Sequence, residues 1–240
     1  MTTPIDLATF CIVDTETTGL DPAVDRVCEL AGVQWAPRQG EIRHFETLVN
    51  PGRTIPPEAS AIHHLVDEDV VGSPNLQEAL ADLNRESFGV WVAHNADFDF
   101  KFLPKDGRPI LCTLKLAKKL FTDSPKHTNQ YLRYALKLQV PGAKGLPAHR
   151  ALADAFVTTA LLSYLLTEAN KHRPELTTVE DLVAWTLEPN LLPMCRFGKH
   201  SGKSWSEVPK DYLQWMIKTM ADMDPDLRFT VEHWLRPGSN

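Results

Sequence analysis

The chain has 240 residues, with 25 Lys and Arg against 31 Asp and Glu and a formal net charge of −6. Its 43% hydrophobic and 23% charged residues describe a globular protein with chain enough for a sizeable core, and they exclude a disordered or fibrous one. The acidic average speaks against a nucleic-acid partner, yet the charge is uneven: −12 over residues 1–100, +9 over 101–150 and −3 over 151–240. The middle block reads either as a phosphate-facing surface or as a solubilising lysine face.

The first strand is expected at 9–15, T-F-C-I-V-D-T, an apolar run of strand formers that ends in polar residues and Gly19. V-C-E-L-A-G-V-Q-W (27–35) and the alternating I-R-H-F-E-T-L-V (42–49) follow as two more, closed by Pro51-Gly52. P-P-E-A-S-A-I-H-H opens a helical turn. S-P-N-L-Q-E-A-L-A-D-L predicts a helix with Ser73 as N-cap and Pro74 in its first position. V-W-V-A-H (90–94) is a short buried strand running into another helix start. From residue 110 the pattern turns helical. C-T-L-K-L-A-K-K-L-F places Leu114, Ala117 and Leu120 on one face, with Lys115, Lys118 and Lys119 around the other. N-Q-Y-L-R-Y-A-L-K-L gives a second amphipathic helix, and the loop V-P-G-A-K-G-L-P precedes a long one from about His149 to Leu166. The sum is an α/β fold: a mostly antiparallel three-strand start, extended by parallel strands and flanked by helices.

Lys171 to Pro174 breaks the long helix, and Thr177 with Glu180 marks the cap of a short helix through Trp185. Glu188-Pro189 and Leu192-Pro193 break the chain again. Residues 1–170 therefore read as the main domain, 171–195 as a partly structured linker and 196–240 as a small separate module. The start, M-T-T-P-I-D-L-A-T-F, lacks a basic stretch, and no apolar run approaches the roughly 18 residues a spanning helix needs. No membrane is expected, and the cytoplasm is the expected compartment. Cys11, Cys28, Cys112 and Cys195 are scattered and read as buried free thiols.

The informative feature is where acids follow buried strands. Asp14 and Glu16 come after F-C-I-V and, as i and i+2 of a strand, point to one face. Two such carboxylates repel, burial worsens this, and a cation relieves it. Hard oxygen ligands select Mg²⁺ or Mn²⁺ over Zn²⁺. Taken alone, D-x-E is also what a solvated strand end looks like. In A-H-N-A-D-F-D-F-K-F-L both Asp97 and Asp99 are available after the next strand, and Phe98 and Phe102 are spaced to pack inward together. Asp97 fits an N-terminal capping role, and Asp99 can project towards the strand ends. H-R-A-L-A-D-A then sets His149 and Asp154 five residues apart, at the opening of the long helix.

The order D-x-E-T-T-G-L, H-N-x-x-F-D and H-R-x-x-x-D-A resembles the DEDDh branch of the DEDD 3′–5′ exonucleases, over roughly residues 9–168. The resemblance implies a ribonuclease H-like exonuclease fold, a mixed central sheet flanked by helices. It assigns the four carboxylates to Asp14, Glu16, Asp99 and Asp154, with His149 as the fifth catalytic residue, and so selects Asp99 over Asp97. Two Mg²⁺ ions about 4 Å apart, for which Mn²⁺ can substitute, are implied to hold the attacking water and the leaving 3′ oxygen. Asp14 would lie between them, Glu16 and Asp154 on the nucleophile side and Asp99 on the other, with His149 taking the water's proton. The implied product is a 5′-mononucleotide, and the implied partner is DNA, as single strand or duplex 3′ end, in repair.

The same resemblance places Thr15, Thr17 and Gly19 around the terminal nucleotide and Leu20 as a wedge against its base. His63 falls beside the 3′ nucleotide, although His64 stands where the family has glycine, and Asn95 falls where it orders the Asp99 turn or merely caps it. R-F-G-K-H-S-G-K-S-W-S-E-V-P-K-D-Y-L-Q-W-M-I resembles the small C-terminal module of exonuclease X-like proteins. Gly198 and Gly202 would allow a tight basic turn carrying Lys199, His200 and Lys203, while Trp205 and Trp215 supply either core or a stacking face. The module then grips nucleic acid or packs as a solvated hairpin on the main domain. A polymerase proofreading subunit, an RNA-trimming exoribonuclease and a non-catalytic nucleic-acid-binding module are the alternatives. Nothing in the residues names a protein partner.

Overall fold

The computed structural model describes residues 2–85, 87–146 and 149–236. Pro147, which ends the expected loop, and residues 237–240, which end the expected module, lie outside the described residues. Five strands form one mixed sheet: β1 (Phe10–Thr17), β2 (Val27–Ala36), β3 (Gly40–Leu48), β4 (Val90–Ala93) and β5 (Ile110–Cys112). The spatial order is β3-β2-β1-β4-β5. The first three pair antiparallel, and β4 and β5 join in parallel. This is the antiparallel start with parallel extension that the sequence pattern predicts.

The helices are α1 (Pro57–His63), α2 (Leu76–Leu83), α3 (Ala96–Phe102), α4 (Thr113–Leu120), α5 (Asn129–Ala135), α6 (Ala151–His172), α7 (Val179–Leu187), α8 (Lys210–Thr219) and α9 (Pro225–Leu235). Side-chain alternation along β1 decides which helices meet which face. Phe10 and Ile12 pack with Ala31, Val33, Val92 and Leu111 against Ala155, Leu162 and Leu165 of α6. Cys11 and Val13 pack with Leu30, Trp91 and Ala93 against Leu83 of α2 and Ala96 and Phe100 of α3. Even positions of β1 therefore belong to α6 and odd positions to α3. By length and composition α6 could cross a membrane, but 67% of that stretch is buried in the protein, and it is the core helix of this layer.

Several expectations need correction. The helix expected from residue 110 starts only at Thr113, because Ile110–Cys112 pair with Trp91–Ala93 as the edge strand β5. The inward residues of α4 are Thr113, Leu116 and Ala117, with Leu114 and Leu120 only partly covered. Asn75, not Ser73, caps α2: its Oδ1 accepts from Glu78 N (3.1 Å), and Glu78 Oε2 accepts from Asn75 N (2.9 Å). Pro74 lies outside that helix, and its carbonyl accepts from Asn50 N (2.9 Å).

Thr178 with Asp181, not Thr177 with Glu180, caps α7. Glu180 accepts from Thr3 N at 2.8 Å instead. The α7 part of the stretch expected as a linker is built into the main domain, since Val179, Leu182 and Trp185 belong to the α6-side core, whereas Leu192 and Cys195 pack with the C-terminal core. The long helix begins at Ala151 rather than His149 and continues to His172. Phe98 and Phe102 do meet, with ring centroids 5.4 Å apart, but the ring buried beneath α3 is that of Phe100. Beyond α7, Cys195, Trp205, Val208, Leu213, Met216, Met223, Leu227 and Val231 form a separate small core. All four cysteines are buried and free.

Candidate active site

The strand parity that sorts the core continues past it into the polar end of β1. Asp14 and Glu16 extend the α6-facing side, and Thr15 extends the α3-facing side. Asp154, in the first turn of α6, meets the first pair: one carboxylate oxygen from each of Asp14, Glu16 and Asp154 lies within 4.8 Å of the others. On the opposite side Thr15 Oγ1 donates to Asp99 Oδ1 (2.9 Å), and Asp99 is buried. Asp97 is exposed and pairs with Lys115 Nζ at 2.7 Å.

The electrostatics are those of a crowded acid site. Burial, then the carboxylates of Asp99, Glu16 and Asp154, holds the Asp14 carboxyl well above the usual range. Burial, followed by Glu29 and Asp154, pushes Glu16 up to about 8. Burial lifts Asp99 to about 7 against the opposing pull of the Thr15 hydroxyl. Like charges this close cannot all ionise without a counter-charge. Three hard oxygen donors converging on one spot fit a divalent cation of the Mg²⁺ or Mn²⁺ type.

A further buried acid stands beside the cluster and is paired elsewhere. Glu29 sits directly opposite Glu16 across the β1–β2 ladder and is fully buried, an unfavourable juxtaposition of like charge. Arg150 neutralises it in a forked grip: Nε to Oε1 at 2.9 Å and to Oε2 at 3.2 Å, and a terminal nitrogen to Oε1 at 2.6 Å. Ala151 N adds a 3.0 Å bond to Oε2. Glu29 thus anchors the first turn of α6, leaving Asp14, Glu16 and Asp154 to face a cation. Sequence reasoning missed this pair, although an acid inside the apolar run V-C-E-L-A-G-V signals a buried partner.

Asp154 is aimed by its neighbours. Gln130 Nε2 donates to its Oδ1 (2.6 Å), and the backbone N–H of His149 donates to its Oδ2 (3.1 Å). Asn129 Nδ2 holds its carbonyl (3.1 Å). His149 itself is exposed and takes a left-handed backbone, φ 59°. The α5 start that carries Asn129 and Gln130 is tied back to β4, because His94 Nε2 contacts His127 O at 2.8 Å while its Nδ1 contacts Thr113 Oγ1 at 3.0 Å. Burial lowers the His94 pKa to about 4. No spacing in the sequence links Gln130 to Asp154.

Thr15, Thr17, Gly19, Leu20 and His63 line one pocket of about 450 Å³ together with Glu16 and Phe98. Thr17 Oγ1 donates to Gly19 O (2.7 Å), shaping its floor. A side chain at Gly19 would displace Asp25, since a Cβ there would lie 2.4 Å from an Asp25 carboxylate oxygen. His63 is buried, accepts Leu65 N on Nδ1 (3.1 Å) and faces Cys28 Sγ (3.7 Å). His64 ends α1 with φ 65°, the left-handed position that glycine fills most easily. Leu20 is 76% exposed at the rim. Asn95 does not line the pocket. It stands exposed at the start of α3 with φ 73° and no side-chain cap hydrogen bond, and its carbonyl accepts from Phe98 N at 2.8 Å.

A family model described as exonuclease, RNase_T, matches residues 11–162. The chain belongs to this exonuclease family, in its DEDDh branch. Among its relatives, Exodeoxyribonuclease 10 of Escherichia coli strain K12 is 33% identical over 228 residues, 93% of this chain and 97% of that one. The DNA polymerase III subunit epsilon of Treponema pallidum is 36% identical over 167 residues, 65% of this chain and 76% of that one. A solved structure of exonuclease X in complex with 5′ overhanging duplex DNA superimposes with a TM-score of 0.63 and 32% identity, covering 74% of this chain and 99% of that one. Exonuclease I of Escherichia coli with a dT13 oligonucleotide shares the fold, with a TM-score of 0.57 at 18% identity over 70% of this chain and 43% of that one. As a DEDDh exonuclease domain, residues 11–162 include every acid of the cluster, Asp14 and Glu16 on the mixed sheet and Asp99 and Asp154 on helices that flank it.

Proposed function

We propose that the chain is a Mg²⁺-dependent 3′–5′ exodeoxyribonuclease, with Mn²⁺ able to substitute, that releases 5′-mononucleotides from DNA 3′ ends in DNA repair. The observation that carries this is the convergence of Asp14, Glu16 and Asp154 within 4.8 Å. It occurs in a chain that matches a protein named Exodeoxyribonuclease 10 over nearly its whole length. The match to the polymerase subunit spans 65% of the chain against 93%, so a proofreading role is the weaker reading. The four free thiols suit a reducing compartment such as the cytoplasm.

Asp14, Glu16 and Asp154 would hold the ions, with Asp99 contributing from the α3 side. Bound there, divalent cations supply the positive charge that offsets the attacking and leaving oxygens of an in-line displacement. The remaining work falls to the chain's own residues. Gln130 and the His149 N–H fix Asp154, and Thr15 fixes Asp99. His149 takes the proton of the attacking water. The new bond joins that oxygen to the terminal phosphorus, and the bond to the 3′ oxygen of the preceding nucleotide breaks, that oxygen keeping the electron pair and taking a proton from water to become the new 3′ hydroxyl. The terminal nucleotide lies in the pocket walled by Thr15, Thr17, Gly19 and His63, with Leu20 against its base. Burial keeps His63 neutral there by lowering its pKa.

The test uses end-labelled single-stranded DNA, duplex DNA and RNA, each with Mg²⁺ and with chelator, resolved on a gel. Wild type should shorten DNA from the 3′ end only with metal, and Asp14→Asn should not. Release of nucleotides by Asp14→Asn at the wild-type rate, or faster trimming of RNA than of either DNA, would overturn the proposal.

A further inference from the structure

The sequence leaves Trp205 and Trp215 open between core and stacking face, and the fold separates them. Trp205 is 1% exposed and lies at the centre of the C-terminal core, whereas Trp215 is 51% exposed on α8. One turn earlier Tyr212 stacks on it, with ring centroids 5.3 Å apart and planes inclined by 23°. The loop before α8 is pressed onto the same pair. Lys199 Nζ lies 4.9 Å from the Tyr212 ring centre. His200, buried, meets that ring edge-on at 4.6 Å, and neither of its ring nitrogens has a hydrogen-bond partner among the described residues. Gly198, at φ 63°, is needed for this approach, because a Cβ there would lie 2.9 Å from Tyr212 Oη.

Charge says what such a platform would take. Residues 196–218 carry Arg196, Lys199, Lys203, Lys210 and Lys218 against Glu207 and Asp211, a net +3. Arg196 donates to Ser124 O (3.0 Å) and Thr122 O (3.4 Å), and it lines one cleft with Lys118 and His127. The module's basic loop is therefore joined to the +9 stretch of the main domain. An exposed tryptophan backed by a half-buried tyrosine, with a lysine on the tyrosine ring, suits unpaired bases on a phosphate backbone, because every base offers a ring face and the cation meets the chain.

We propose that the Tyr212–Trp215 pair, with Lys199, is a stacking site for single-stranded DNA outside the catalytic pocket. The choice of DNA over RNA rests on the exonuclease reading above; the stacking does not. The experiment measures binding of the full chain, with metal chelated, to a labelled oligothymidylate and to an abasic strand of equal length. Trp215→Ala should bind the oligothymidylate about 5- to 100-fold more weakly, Trp215→Phe should retain most of the affinity, and on the abasic strand Trp215→Ala should match wild type. Lys199→Gln should lower the slope of log K against log salt by about 0.7. Unchanged affinity in Trp215→Ala, as a protein-docking face would give, overturns the proposal, and so does an equal loss on the abasic strand. Because no cutting is measured, failure of Asp14-dependent nucleotide release would sink the exonuclease reading and leave this one standing.

Discussion

Replacing Arg150 by alanine should destabilise the protein by about 3 kcal/mol, because it strands a carboxylate. Glu29 is fully buried and holds three guanidinium contacts between 2.6 and 3.2 Å. Without Arg150 its only remaining donor among those contacts is Ala151 N at 3.0 Å, and Glu16 still faces it across the ladder. Removing one partner of a buried pair costs about 3–5 kcal/mol. The Arg150 side chain is 32% exposed, so water reaches part of the vacated space and the lower end applies. At about 2–4 °C per kcal/mol for a chain of this size, Tm should fall by about 6–12 °C. Calorimetry of Arg150→Ala should be set beside the double variant Glu29→Leu/Arg150→Met, which replaces both charges with apolar groups of similar bulk. The double variant should recover most of the loss. A loss below about 1 kcal/mol in Arg150→Ala, or a double variant as unstable as the single one, would refute the reasoning.

Three further outcomes follow from the site and its surroundings. Glu16 ionises near 8 in the folded chain against 4.5 when free, and Asp99 near 7 against 3.8. The folded state thus holds more protons than the unfolded one across that window, and in chelator stability should fall as pH rises from about 4.5 to about 8. Saturating Mg²⁺ replaces those protons, so the gain in Tm it produces should be larger at about pH 8 than at about pH 5; a pH-independent gain in thermal melts would contradict this. His64→Gly should stabilise the protein by about 0.5–1 kcal/mol, since it relieves a left-handed histidine at φ 65° at the entropic cost of a glycine. Tm should rise by about 1–4 °C, and a fall would show that the imidazole contributes more than its backbone costs.

The sheet was legible because its strands carry clean apolar runs: β1 to β4 stand within two residues of where alternation and turn signals put them. β5 was not, since Ile-Leu-Cys directly before an amphipathic helix is as good a helix start as a three-residue strand, and only pairing with β4 decides between them. Caps slipped by one or two residues where neighbours had equal capping chemistry, as with Ser73 and Asn75 or Thr177 and Thr178. Around α7, flanking prolines suggested a linker, while Val179, Leu182 and Trp185 at helical spacing carried the opposite message. Within the site, Asp14 and Glu16 announce themselves by strand parity. Asp154 needs the motif, because its neighbour Asp14 lies far away along the chain. Gln130 and Arg150 act through tertiary contacts that no local pattern encodes.

That distance between Asp14 and Asp154 has a consequence for the chain as it is made. β1 leaves the ribosome early, with Asp14 and Glu16 already in place along it. Asp154 acquires an address only when Leu161, Leu162 and Leu165 have emerged and α6 can close over Phe10 and Ile12. A partly synthesised chain therefore carries the pieces of the acid cluster without the cluster. For an exonuclease, this makes the cutting centre a late product of folding, assembled by the same helix that completes the core.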